Sequence, residues 1–215
     1  MLIGLFGGTF DPPHLGHLAL CRAAFERLSL QRLLWLLTPD PPHKQGQPIT
    51  PLSHRLAMVE FALEDTPFEL SHLELDRSGP HYTLDTVKLL AGQNPGADLL
   101  YLMGSDSLND LPSWHCPADL VSALRYIGVM RRTGETPDLP ALEQQIPGLT
   151  AKVRFVEAPP VNISASDIRG RVRTGEPFAH FVPESVAQYI REHHLYQSPN
   201  PPSPDPQSSI TNQQS

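Results

Sequence analysis

Two histidines three positions apart, His14 and His17, stand just behind a glycine pair and two prolines in the stretch GLFGGTFDPPHLGH, residues 4–17. Residues three apart share one face of a helix, so both imidazoles face the same way if a helix begins here. Gly7 and Gly8 let the backbone approach a ligand closely. A helix start offers unpaired N–H groups and partial positive charge, a ready phosphate site. The imidazoles add donors and positive charge to that place. Phosphate binding and stabilisation of charge at phosphorus are the chemistry in view. Blander readings stand beside it: a Gly-Gly turn can be a tight connection, and a histidine at a helix start can be a cap. Asp11, before Pro12 and Pro13, can simply shape the turn. H-x-x-H can also be two metal ligands, but zinc needs three or four. No further His lies nearby in sequence, so His43, His54, His72, His81 or His115 would have to approach through folding.

A second candidate phosphate element is ISASDIR, residues 163–169. Ser164 or Ser166 can start a helix, with Asp167 three after Ser164 as the partner of a capping box. Arg169 then lies one turn inside, where its guanidinium can fork onto phosphate oxygens. An ordinary capped helix with a solvated arginine is the alternative. GSDSL, 104–108, follows an apolar run, and its Asp106 can cap a helix. Trp114 sits in a loop after Leu111-Pro112.

These residues need elements to position them. MLIGLF, RLLWLL, DLLYLMG, RYIGVM and KVRFVEA are short apolar runs closed by Gly, Pro or charge, and read as buried strands. FELSHLEL alternates like a strand with one wet face. Leu15, Leu18, Ala19, Ala23 and Leu28 recur at helical spacing. Thr50-Pro51 suits an N-cap followed by an N1 proline, with a helix through about Glu64. Thr83 is expected to cap a helix carrying Leu84, Val87 and Leu90. Ser166 is a candidate cap for a helix ending near Gly175, and PESVAQYIREH reads as a final helix. Strands alternating with helices imply an α/β fold with a parallel sheet covered on both faces. In such sheets ligands bind beyond the carboxyl ends of the strands, where GGTFDPPHLGH and GSDSL both fall.

Composition narrows the classes. Of 215 residues, 40% are hydrophobic, enough for a sizeable core. Sixteen basic against 23 acidic residues give a net charge of −7, which argues against a general nucleic-acid surface. Apolar runs such as LLWLL and LLYLM fall far short of the roughly 20 residues that span a bilayer. MLIGLFGG has no basic leader region, so no signal peptide is expected. Two cysteines, Cys21 and Cys116, make no disulfide framework, and a reduced, cytoplasmic protein is expected. Residues 197–215 hold five prolines and five serines with no large apolar cluster. That stretch is expected to be a disordered tail on a single domain of residues 1–196. Self-association as a homo-oligomer is left open.

The loop GGTFDPPH is neither the dinucleotide fingerprint G-x-G-x-x-G nor a Walker P-loop. It resembles the signature of the nucleotidylyltransferase superfamily, whose H-x-G-H motif is matched in full by His14–His17. PPHK (41–44), HYT (81–83), GSDSL with Trp114, and NISASDIR (162–169) follow in order. Together they resemble the bacterial nicotinate-nucleotide adenylyltransferases, a likeness running from about residue 3 to Tyr196. His81 stands where a Ser commonly precedes Tyr-Thr, Ser166 where a Thr is common, and the loop LTPDPPHK is shorter than usual.

The resemblance implies a Rossmann-like, doubly wound parallel sheet with flanking helices and a small C-terminal helical part. It implies transfer of an adenylyl group from ATP to nicotinate mononucleotide in NAD biosynthesis, with Mg²⁺ carried by the ATP phosphates and no metal held by the protein. His14, His17 and Arg169 would then be catalytic. Gly7, Gly8, Thr9, Phe10, His17, Asp106, Ser164, Ser166 and Arg169 would bind ATP, Asp106 through ribose hydroxyls. Thr9, Lys44, Tyr82, Thr83, Trp114 and His115 would bind the mononucleotide, Trp114 by stacking on the pyridinium ring. Backbone N–H groups at Thr83 and around Trp114–His115 would meet its carboxylate.

Overall fold

The apolar runs pair side by side because parallel strands, buried on both faces, can be continuously hydrophobic. In the computed structural model, residues 1–41, 48–130, 137–157 and 163–197 are described. Their strands are β1 (Leu2–Gly8), β2 (Arg32–Leu37), β3 (Glu69–Ser71), β4 (Asp98–Gly104), β5 (Tyr126–Met130) and β6 (Val153–Val156). They form one sheet in the order β3-β2-β1-β4-β5-β6, parallel at every step. The register runs Phe6 against Trp35 on one side and against Leu102 on the other.

Alternate residues feed two cores. Phe6, Leu33, Trp35, Leu100 and Leu102 pack with helices α1 (Leu15–Arg27) and α2 (Leu52–Leu63). Ile3, Leu5, Leu34, Tyr101, Ile127 and Val129 pack on the opposite face with α3 (Thr83–Gln93) and α5 (Pro117–Ala123). Between β4 and α5 lies the short helix α4 (Ser105–Asp110), and α6 (Leu139–Gln145) and α7 (Leu149–Lys152) precede β6. A third cluster unites Met58 and Ala62 of α2 with Ile168 of α8 (Ala165–Thr174) and Val186 and Ile190 of α9 (Glu184–Glu192). The doubly wound architecture with a C-terminal helical part is therefore present. No helix among the described residues is long and apolar enough to cross a membrane.

Several local expectations shift. FELSHLEL yields only the three residues of β3, because Glu74 turns inward to 4% exposure and accepts from the Thr86 hydroxyl at 2.7 Å. Pro51, not Thr50, is the N-cap of α2, and its carbonyl accepts from His54 and Arg55. Thr83 is the first helical residue of α3, whose N-cap is Tyr82. Ser164, not Ser166, caps α8: its Oγ accepts from Asp167 N (3.2 Å), and Asp167 Oδ2 accepts from Ser164 N (3.0 Å). That capping box satisfies two donors reciprocally. Gly175 ends α8 in the left-handed conformation, φ 76°. Helices α4 to α7 are too short to show a period in sequence. Lys44 and all of the expected tail 197–215 except Gln197 lie outside the described residues.

Candidate active site

Strand order reverses between β1 and β4, so crossovers diverge there and open a crevice at the carboxyl ends. The β1–α1 loop lies at that point. Phe10 takes φ 47° and stacks its ring on Trp35, 4.6 Å between centroids. Its edge then meets the ring of His17 at 5.2 Å, almost perpendicular. His14, only 6% exposed, is the N-cap of α1, and its ring stacks on that of His17 at 3.6 Å. The His14 backbone N–H donates to His17 Nδ1 at 3.2 Å. An acceptor Nδ1 puts the proton of a neutral imidazole on Nε2, so the fold selects the tautomer.

Asp11 is the hub of the loop and is 5% exposed. Its Oδ1 accepts from the Tyr196 hydroxyl (2.7 Å) and its Oδ2 from Thr50 N (3.2 Å). Its backbone carbonyl accepts from Arg169 Nη1 at 2.7 Å, across 158 residues. Arg169 of α8 is thereby joined to the loop that carries His14 and His17.

Arg55 holds the same loop from beneath. It is 2% exposed and donates four bonds to carbonyls. Nε reaches Thr50 (2.9 Å), Nη1 reaches Thr9 (3.0 Å) and Thr38 (2.9 Å), and Nη2 reaches Pro39 (2.6 Å). Burial pulls its pKa below the usual guanidinium value, and the neighbouring Asp11 opposes that shift. The ends of β1 and β2 are thus pinned to one side chain.

A pocket opens beside this clamp, lined by Thr38, Pro41, His81, Tyr82, Thr83, Trp114 and His115. Tyr82 and His115 stack at 4.0 Å, and Trp114 stands edge-on to Tyr101 at 5.9 Å. Tyr101 rises from β4 to bond both Gly7 near the end of β1 and Thr83 of the pocket; burial pushes its phenol well above the usual range. A Cβ on Gly7 would collide with the Tyr101 hydroxyl, so a larger residue there must displace that buried phenol. The expected donors are fewer than the sequence suggested. Trp114 N–H bonds to the Leu111 carbonyl at 3.0 Å, and the amides of Asp85 and Thr86 bond to Tyr82. The amides of Thr83 and Leu84 remain as the leading donors of α3. Asp106 is exposed in the first turn of α4, and a Cβ on Gly104 would strike its carboxyl.

The structure therefore sets Gly7, Gly8, Thr9, Phe10, His14 and His17 along the β1–α1 connection, joins Arg169 to it through Asp11, and brings Tyr82, Thr83, Trp114 and His115 to one pocket. Ser164 and Ser166 are bonded to each other at the head of α8, 2.8 Å apart. Sequence reasoning missed Arg55, Tyr101 and Tyr196. Arg55 left one signal: it heads the stripe 55-58-59-62 that α2 buries, a position where a charge needs a reason.

Fold and site together define a cytidylyltransferase-like protein, and the family model of that description matches residues 5–171. The chain is 44% identical over 197 residues to a probable nicotinate-nucleotide adenylyltransferase of Thermomicrobium roseum, covering 91% of this chain and 92% of that one. The same-named protein of Symbiobacterium thermophilum is 39% identical over 196 residues, covering 90% and 94%. The chain belongs to the nicotinate-nucleotide adenylyltransferase family. Its fold matches Plasmodium falciparum nicotinic acid mononucleotide adenylyltransferase complexed with NaAD, with a TM-score of 0.74 at 20% identity over 91% and 97% of the chains.

Proposed function

We propose that this protein transfers the adenylyl group of ATP to nicotinate mononucleotide, giving nicotinate adenine dinucleotide and pyrophosphate. A phosphate oxygen of the mononucleotide attacks the α-phosphorus, and the bond from that phosphorus to the bridging oxygen of the β-phosphate breaks. The second pKa of a phosphate monoester is about 6, so the nucleophile is ionised near neutrality and no general base is needed. Rate enhancement then comes from alignment and from neutralising charge at phosphorus.

The observation that carries this reading is the bond from Arg169 to the Asp11 carbonyl, because it unites two phosphate-binding elements. His17, with its proton set on Nε2 by the His14 amide, would donate to the phosphates together with the loop amides. Arg169 would take β- or γ-phosphate oxygens with the remaining donors of its fork. Gly7, Gly8, Thr9 and Phe10 would line the triphosphate; Asp106 would take ribose hydroxyls, and Ser164 and Ser166 the nucleotide at the head of α8. Tyr82, Thr83, Trp114 and His115 would hold the pyridine ring, with Thr9 and Lys44 on the mononucleotide phosphate. Among the described residues no group of three or more His, Cys, Asp or Glu side chains could hold a metal ion. Mg²⁺, when bound, would ride on the triphosphate and share its charge. The chain's apolar-poor region 197–215 would stand outside the catalytic domain.

The test is ATP-dependent pyrophosphate release with a panel of phosphate monoesters: nicotinate, nicotinamide and flavin mononucleotides, and phosphopantetheine. Turnover with the nicotinate compound above all others supports the reading. A preference for phosphopantetheine or flavin would replace the substrate while keeping adenylyl transfer.

A further inference from the structure

We propose that Tyr196 is a positioning residue for the nucleotide: its hydroxyl holds Asp11 in place so that Arg169 and the His14–His17 pair present a single phosphate-binding surface. This inference rests on the adenylyl-transfer reading for what the surface binds. Asp11 connects the tyrosine to the arginine. Its side chain takes the Tyr196 hydroxyl at 2.7 Å, and its backbone carbonyl takes Arg169 Nη1 at 2.7 Å. Any movement of Asp11 therefore moves the oxygen against which the arginine is set. Thr9, two residues earlier, is already fixed by Arg55, and Thr50 N fixes the other carboxyl oxygen. Tyr196 closes the remaining freedom of the turn.

The tyrosine itself stands on a rigid base. Its ring packs against the cluster shared by α2, α8 and α9, and its hydroxyl lies 3.9 Å from Met58 Sδ. Its backbone takes φ 64°, a left-handed conformation that aims the residue back across the domain. Burial beside Asp11 keeps the phenol protonated, so it donates throughout the working pH range. A hydroxyl placed only for stability would leave substrate affinities alone. One placed to aim Arg169 should be felt by ATP and not by the mononucleotide, whose candidate pocket lies at Tyr82, Thr83 and Trp114.

Tyr196→Phe deletes the hydroxyl and keeps the ring. Steady-state kinetics should show KM for Mg·ATP raised roughly tenfold, the scale of losing a bond to a charged group. KM for nicotinate mononucleotide should move less than about twofold. Calorimetric titration with a non-hydrolysable Mg·ATP analogue, without mononucleotide, should show the same weakening. A lower unfolding midpoint with both KM values unchanged would overturn the proposal, as would equal loss on both substrates. Should Tyr196→Phe not fold, Asp11→Asn keeps the volume and must show the same split between substrates. If the unaltered enzyme fails to turn over nicotinate mononucleotide, the functional reading falls, while the titration still decides whether Tyr196 governs nucleotide affinity.

Discussion

Arg55→Met tests the clamp beneath the site. The substitution keeps an unbranched apolar stem and removes the charge, leaving the carbonyls of Thr9, Thr38, Pro39 and Thr50 without their donor. Summing bonds to a charged group at about 1.5–3 kcal/mol each would give too large a loss, because burying the guanidinium carries its own desolvation cost. Each buried carbonyl left unpaired costs about 1–3 kcal/mol before relaxation, so a net loss of about 3–5 kcal/mol is expected here. For a domain of this size each kcal/mol moves the midpoint by about 2–4 °C, so the shift should be roughly 6–20 °C downward. Arg55→Lys keeps the charge but not the fork, and one ammonium cannot serve carbonyls spread from residue 9 to residue 50. It should lose more than half as much. Calorimetry or circular dichroism reads the midpoint, and urea titration gives the free energy. A loss below about 1 kcal/mol for Arg55→Met would refute the clamp, since surface substitutions alone reach about 0.5 kcal/mol.

Other perturbations separate chemistry from architecture. His17→Ala should stay folded and lose about 10²–10³ in kcat, as expected for one preorganised donor; a fully active variant would remove His17 from the mechanism. Gly7→Ala places a methyl group against the Tyr101 hydroxyl and should destabilise by about 1–3 kcal/mol. Adding Tyr101→Phe to that variant relieves the collision, so the pair should be more stable than Gly7→Ala alone; no recovery would show another cause. Nicotinate should be preferred over nicotinamide mononucleotide by at least about 10² in kcat/KM, since a carboxamide turns its NH₂ toward donors of α3 that are then left unpaired. Trp114→Ala should weaken both substrates and change their ratio little; equal efficiency of acid and amide in the parent enzyme would refute the assignment of the acid.

The strands and the longer helices could be read from the chain because most β-runs were short, apolar and punctuated, and because α1, α2, α3 and α9 bury periodic stripes. The capping box of α8 could also be read, since Ser164 and Asp167 act through adjacent backbone and need no distant partner. What stayed hidden was long-range. Asp11 looked like a turn residue, and nothing within ten residues of it hints at Thr50, Arg169 or Tyr196. Tyr101 was one apolar letter in DLLYLMG, and only the sheet register sets its hydroxyl beside Gly7. Trp114 and His115 were expected to offer amides, but a turn closing on Leu111 uses that of Trp114. Polar groups committed by loop geometry leave no periodic trace.

The Asp11 hub also has a history in time. Its partners lie 39, 158 and 185 residues further along the chain. At roughly 5–20 residues per second of synthesis, some ten to forty seconds separate the making of the loop from the making of the tyrosine that completes it. During that interval β1, β2 and α1 can assemble and bury their apolar faces. The turn carrying Asp11 meanwhile waits without its last support. Contacts of such sequence separation also close late in refolding, because chain entropy must be lost before they form. The newborn chain can thus assemble part of its sheet before the candidate nucleotide-binding loop gains its last support.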